Sequence, residues 1–274
     1  MGIGPAAQEG RQALAHKIGF RTAGFHQIPL EQCLIALAEI GYDGVEICLE
    51  HPDSRPESLT PTRCESIAKR AAELGLDIAS VSYHADGEDE EARARNQLRA
   101  IDITAHFGAD ILIINAQRSI EGQERDQLDA FGDLLADALL PRAEAAGISL
   151  ACEPEPGMFV DGSAEMLYLL ELLHHPRLGV NLDIGHAFLT DDSLPEAIAV
   201  LDRRILHVHF EDMPAGVHQH LVPGDGDMNL PEVIAALDCA GFAGYYTIDL
   251  FNIADAPVDW ARRACAATKR LLQT

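Results

Sequence analysis

The chain has 274 residues, 47% hydrophobic and 23% charged, a balance that suits a soluble globular protein with a substantial core. Its 44 acidic residues outnumber 20 basic ones, for a net charge of −24. Such a surface repels phosphate backbones and argues against a nucleic-acid partner. No apolar run reaches the ~18–20 residues that a bilayer crossing takes, so no membrane association is expected.

Residues 1–16 carry Glu9, Arg11 and His16 and lack the apolar centre of a signal peptide, so they are expected to form a lead-in. Residues 17–274 then read as one domain of alternating strands and helices. Strand-like runs fall at 17–21, 44–49, 77–83, 110–115, 148–153, 179–183, 205–210 and 245–250. They are short and almost continuously apolar, as parallel strands covered on both faces are. Helical patterns fall between them near 30–40, 61–74, 90–107, 124–146, 163–173, 193–202, 230–240 and 257–272. Thr60-Pro61 marks a helix start, and Gly41, Gly75, Gly108, Gly147 and Gly241 mark helix ends. Eight such units without a Pro/Ser-rich linker predict a single-domain (β/α)8 TIM barrel. A doubly wound open sheet is the alternative, but no GxGxxG turn follows the first run. Six cysteines are scattered without a CxxC pair, which fits reduced thiols and a cytoplasmic protein.

Function follows from what ends the strands. Glu153, Asp183, His209 and Asp249 close strands 5, 6, 7 and 8, so on a barrel they would converge at the C-terminal mouth. Three carboxylates and an imidazole suit one divalent cation, Mn²⁺, Mg²⁺, Co²⁺ or Zn²⁺, and that cation would relieve their mutual repulsion. Glu46 ends strand 2, where it could pair with Arg21 of strand 1 or face the mouth. His207 is expected to point away from His209, as an interior histidine. Glu50 and Glu155 are expected on solvated loops, and Phe25, Met158, Phe159 and Phe251 flank the mouth, where ordinary packing is expected of each ahead of an apolar wall.

Five motifs follow in order: Glu153-Pro154, Asp183-x-Gly185-His186, His207-Val208-His209-Phe210-Glu211-Asp212, Gly224-Asp225-Gly226-Asp227 and Gly241-Phe242-x-Gly244-x4-Asp249. Together they resemble the xylose isomerase-like TIM-barrel superfamily, the sugar phosphate isomerase and epimerase branch related to apurinic endonucleases, over residues 17–272. The resemblance implies Glu153, Asp183, His209 and Asp249 as metal ligands, with Glu153 and Asp249 also moving protons. The family's strand-8 ligand is Glu, and Asp249 is shorter by one methylene, roughly 1.5 Å of reach. This departure puts two-base epimerisation in doubt. His186 matches a histidine that touches substrate hydroxyls. His84 and His220 match further site positions and are expected to contact substrate. A second metal at His186, His218 and His220 is the less favoured alternative, because the endonuclease pattern is incomplete: Asn115 stands where that branch has His. None of Lys17, Lys69 and Lys269 ends a strand, against the lysine-dependent hydride shift of xylose isomerases proper.

The resemblance therefore implies a metal-dependent isomerase or epimerase of a small, preferably unphosphorylated ketose or keto-sugar, working by carboxylate proton transfer through an enediolate. A dehydratase of a hydroxy-ketone, 3-dehydroshikimate dehydratase-like, and a non-catalytic metal- or sugar-binding barrel are the alternatives. A homo-oligomer is usual in that family.

Overall fold

The structure, a computed structural model, describes residues 16–85, 87–253 and 255–273. Apart from His16, the predicted lead-in lies outside them. Eight strands, β1 (Lys17–Arg21), β2 (Gly44–Cys48), β3 (Asp77–Ser82), β4 (Ile111–Asn115), β5 (Ser149–Glu153), β6 (Leu178–Asp183), β7 (Ile205–His209) and β8 (Tyr245–Ile248), close into one barrel. Each pairs in parallel with the next, and β8 closes on β1 with Phe20 opposite Ile248. The TIM barrel is therefore shown, and the open sheet is excluded.

The outer ring is α1 (Leu30–Ile40), α2 (Pro61–Glu73), α3 (Glu90–Phe107), α4 (Glu124–Leu134), α5 (Leu140–Ala146), α6 (Ser163–Leu173), α7 (Ile184–Thr190), α8 (Leu194–Leu201), α9 (Leu230–Ala240) and α10 (Pro257–Leu271). Helix α1 shows how the ring is held. Leu30, Cys33, Leu34 and Leu37 recur at helical spacing and are all buried against the sheet. Truncating Leu37 to Ala would cost about 2–5 kcal/mol. The predicted glycine stops at 41, 108, 147 and 241 all take left-handed φ, which ends those helices without steric penalty.

Two helices differ from expectation. The single run predicted over 124–146 is broken by a π-turn at Leu135–Leu139, just before Pro141. A proline ring inside a helix displaces the preceding carbonyl and removes a donor, and the wider turn accommodates it. Helix α7 was not anticipated. Its seven residues include Gly185 and Thr190, poor helix formers, and it is started by Asp183, whose Oδ1 accepts from the His186 amide at 2.8 Å.

Two pairings slip by one residue, between Val45 and Glu46 against β3 and between Val180 and Asn181 against β7. Irregularities of this kind re-aim the side chains beside them. Here they fall next to two residues that reach His209.

Candidate active site

The C-terminal ends of the strands open into a cavity of about 240 Å³. Glu153, Asp183 and His209 are the last residues of β5, β6 and β7, and Asp249 follows β8 by one. The structure brings all four together around one atom. His209 Nδ1 lies 3.5 Å from Glu153 Oε2, 3.8 Å from Asp183 Oδ2 and 3.8 Å from Asp249 Oδ2. All four side chains are buried.

Each member of the group is held from behind. His209 Nε2 donates to Glu46, at 3.1 and 3.2 Å from its two oxygens, which turns Nδ1 toward the carboxylates. Asn181 Nδ2 donates to Glu153 Oε2 at 2.8 Å and lies 3.1 Å from His209 Nδ1. Asp183 divides its oxygens: Oδ1 caps α7, while Oδ2 is buried with no hydrogen-bond partner. Asp249 is also divided, since Oδ2 takes Arg21 Nη1 at 2.9 Å and Oδ1 is buried without a partner.

Electrostatics follow from this crowding. Burial works against charge on Glu153, but the His209 and His84 imidazoles outweigh it and hold its carboxyl well below the usual range. Burial likewise disfavours charge on His209, and Glu46 and Glu153 overcome it, so this imidazole is pushed well upward. Glu211 behaves oppositely. Buried on the β7 exit and facing Asp183, its carboxyl is pushed well above the ordinary value, and its Oε1 accepts from the Gly185 amide at 2.8 Å. A Cβ on Gly185 would stand 2.4 Å from Met213 Cε and 2.7 Å from Glu211 Oε1, so any side chain here would push those two side-chain ends aside.

Ligand atoms of Glu153, Asp183 and His186, and those of Asp183, His220 and Asp249, each gather within 4.8 Å of one another, close enough to hold a divalent cation. Asp183 Oδ2 and Asp249 Oδ1 are buried without any hydrogen-bond partner, and His209 Nδ1, oriented by Glu46 behind it, lies 3.8 Å from that Asp183 oxygen. A cation at this point would replace the His209 Nδ1 proton as the charge that the three carboxylates surround.

The remaining expected residues form the wall of the cavity. His84, two residues past β3, places Nε2 3.2 Å from Glu153 Oε2, and its Nδ1 lies 3.3 Å from Arg21 Nη2. His186 Nδ1 donates to the Pro154 carbonyl at 3.2 Å, which leaves its Nε2 to accept from His218 Nε2 at 3.0 Å. His220 Nδ1 donates to the Asp249 carbonyl at 2.9 Å, and its Nε2 is buried and unpartnered. Ring nitrogens of His186, His218 and His220 all lie within 4.8 Å of one another.

Residues 34–271 match the family model described as a xylose isomerase-like TIM barrel. The chain belongs to that family. Among curated members, the fructoselysine 3-epimerase of Shigella flexneri is 26% identical over 93% of this chain and 98% of its own. The inosose dehydratase of Geobacillus thermodenitrificans is 26% identical over 81% of this chain and 82% of its own. These relatives are enzymes. Among solved structures, an L-ribulose 3-epimerase superposes with a TM-score of 0.78 at 22% identity, covering 94% of this chain and 95% of that one. IolI, solved with a bound zinc atom, superposes with a TM-score of 0.78 at 19% identity, covering 94% and 98%. At that identity the two structures speak for the fold.

Two expectations need correction. His207 does not point away from His209. Residues two apart on a strand share a face, and His207 Nε2 also reaches Glu46, at 3.2 Å. Glu50 and Glu155 are half-buried and line the cavity instead of sitting on solvated loops. Glu50 accepts from the His84 and Ala85 amides at 2.6 and 3.1 Å, and Glu155 from Asn115 Nδ2 at 2.9 Å. Of the four flanking apolar residues, Phe25 and Phe159 pack against Phe20 and Phe131 as expected, and Phe251 alone lines the cavity.

Sequence reasoning gave no site role to Arg21 beyond a pairing with Glu46, and it passed over Asn181 and Glu211. The signal for the last two was periodicity: Asn181 is two residues before Asp183 and Glu211 two after His209.

Proposed function

We propose that this protein is a divalent-metal-dependent isomerase or epimerase of a small, unphosphorylated ketose or keto-sugar. The observation that supports it best is the placement of Glu153 and Asp249, carboxylates from separate strands that both face His209 Nδ1 on the floor of one cavity. The full-length similarity to an epimerase of a sugar derivative points the same way.

Glu153, Asp183, His209 and Asp249 would hold the cation. When bound, it would polarise a substrate carbonyl and balance the negative charge that proton loss leaves on oxygen. Glu153 takes the proton from the neighbouring carbon. It is kept ionised by the imidazoles beside it, and Asn181 fixes its Oε2. Asp249 is the second acid/base group. His220, with an unpartnered Nε2 beside the cavity, accepts from a substrate hydroxyl. His186 and His218 are already hydrogen-bonded to each other, so their lone pairs are better used in this wall than on a second metal. Arg21 is the single lysine or arginine among the described residues lining the cavity, and it is occupied by carboxylates. A phosphate group therefore has no free cation to bind.

One observation favours a second reading, a dehydratase. Arg21 holds Asp249 Oδ2, which leaves Glu153 as the freer base, and proton abstraction followed by loss of a hydroxyl needs only one. Inosose dehydratase is among the relatives. Incubating the Mn²⁺-loaded protein with unphosphorylated ketoses and inososes in D₂O separates the two. Deuterium incorporated beside the carbonyl without loss of water supports the isomerase, and an ultraviolet-absorbing enone supports the dehydratase. Neither outcome on any substrate would leave the non-catalytic barrel.

A further inference from the structure

We infer that Arg21 is the positioning residue of this site, a single guanidinium that sets the orientation of Asp249 directly, of His209 through Glu46 and of Glu153 through His84. The inference rests on the metal reading above for its consequence and on contacts within the chain for its basis.

Arg21 ends β1 and is 7% exposed. Each of its three nitrogens is engaged, Nη2 also meeting Cys48 Sγ at 3.8 Å. Nη1 donates to Asp249 Oδ2 at 2.9 Å. Nε lies 3.1 Å from Glu46 Oε1 and 3.3 Å from Ser82 Oγ. Nη2 lies 3.3 Å from His84 Nδ1. Each acceptor then acts on the site. Glu46 receives His209 Nε2, and His84 Nε2 lies within ion-pair distance of Glu153 Oε2, at 3.2 Å, without hydrogen-bond geometry. A guanidinium cannot accept a hydrogen bond, so His84 Nδ1 must be the acceptor in that contact, which places the His84 proton on Nε2, toward Glu153.

Geometry and charge both call for arginine. A lysine ammonium is a point charge on a flexible stem and cannot hold three diverging acceptors in a plane, whereas the guanidinium carries its donors in a rigid fork. Glu46, Glu153, Asp183 and Asp249 are all buried in this region, and Arg21 is the single arginine or lysine among the described residues around the cavity. Asp249 Oδ2, which faces His209 Nδ1 at 3.8 Å, is the oxygen that Arg21 holds.

The test compares wild type with Arg21→Lys, which keeps the charge, and Glu46→Gln, which removes the negative charge behind His209 but keeps the side chain's size. Circular dichroism first confirms that each folds. Calorimetric titration of Mn²⁺ into the metal-free full-length chain is then expected to show binding about 10–100-fold weaker in both variants, the range for losing a residue that orients a ligand. The visible absorption of bound Co²⁺ should change shape in Arg21→Lys, reporting altered coordination. Imidazole ¹⁵N spectra of the metal-free protein should show the His84 proton on Nε2 in wild type and lose that preference in Arg21→Lys. Mn²⁺ affinity within about 3-fold of wild type, with unchanged Co²⁺ and imidazole spectra, would overturn the inference, because charge alone would then suffice. A substrate-contact role would raise KM and leave metal affinity unmoved, and that result also overturns it. If wild type binds neither metal, the metal reading falls, and Arg21 is judged on the His84 spectrum alone.

Discussion

The two rims of this barrel are built from the same eight strands and have opposite electrostatics. At the N-terminal rim Lys17, Asp77 and Tyr245 form an exposed cluster: Lys17 Nζ lies 3.1 Å from Asp77 and 3.2 Å from the Tyr245 hydroxyl, which also donates to Asp77. Charge is satisfied there at the surface, and water screens it. At the C-terminal rim Glu46, Glu153, Asp183, Glu211 and Asp249 are all buried, and oxygens of Asp183, Glu211 and Asp249 have no hydrogen-bond partner. A rim that served only to close the fold would not retain groups whose desolvation costs several kcal/mol each. The difference locates chemistry at one end and stability at the other.

The comparison breaks first at Glu153. Glu153→Gln is expected to lower carbon-bound deuterium exchange by about 10³-fold, within the range for a lost general base. NMR in D₂O measures it on whichever ketose or inosose the wild type turns over. Exchange persisting near the wild-type rate would remove Glu153 from proton transfer.

Metal comes next. With Mn²⁺ at 100 times its Kd, linkage adds about 2.7 kcal/mol to stability. In a chain of this size each kcal/mol is worth roughly 2–4 °C, so melting should rise by about 5–10 °C and return on chelation. A flat response would show that the acidic rim is not a cation site.

Gly185→Ala tests the packing behind Asp183. The added methyl would overlap Met213 and Glu211, which should cost about 1–3 kcal/mol in urea unfolding. A neutral result would mean that the turn into α7 has slack.

The smallest effect belongs to the opposite rim. The Tyr245 hydroxyl and Lys17 hold the Asp77 carboxyl below its ordinary value. A depressed folded pKa contributes stability that is present above the unfolded value near 3.8 and is lost as pH falls through the folded value. Asp77→Asn should therefore cost less than about 1 kcal/mol at pH 7, because the pair is exposed and screened, and progressively less as pH falls below 3.8. A cost that persists in acid would point to packing instead.

Much of this was legible from the chain alone. Eight apolar runs spaced by helical patterns specify a parallel barrel, because a strand buried on both faces has little choice of composition. Glu153, Asp183 and His209 could be placed at strand ends because burial ends where polar residues begin. Legibility stopped where side-chain direction mattered. His207 was assigned the wrong face, although the period of two places it beside His209. Glu50 and Glu155 looked like loop residues because sequence distance from a strand says nothing of how a loop folds back over a cavity. Helix α7 was hidden because its stability comes from the Asp183 cap more than from its own residues.

By itself, then, the sequence determined the architecture, the end of the barrel that carries charge, and four residues that meet there. Those follow from patterns repeated along the chain, and repetition survives without coordinates. Tertiary structure alone decided which oxygen of Asp183 and of Asp249 is free, that Glu46 stands behind His209, and that Arg21 links β1 to β2, β3 and β8. Apart from the local Asp183 cap, these depend on contacts between strands far apart in sequence, and no local pattern encodes such contacts.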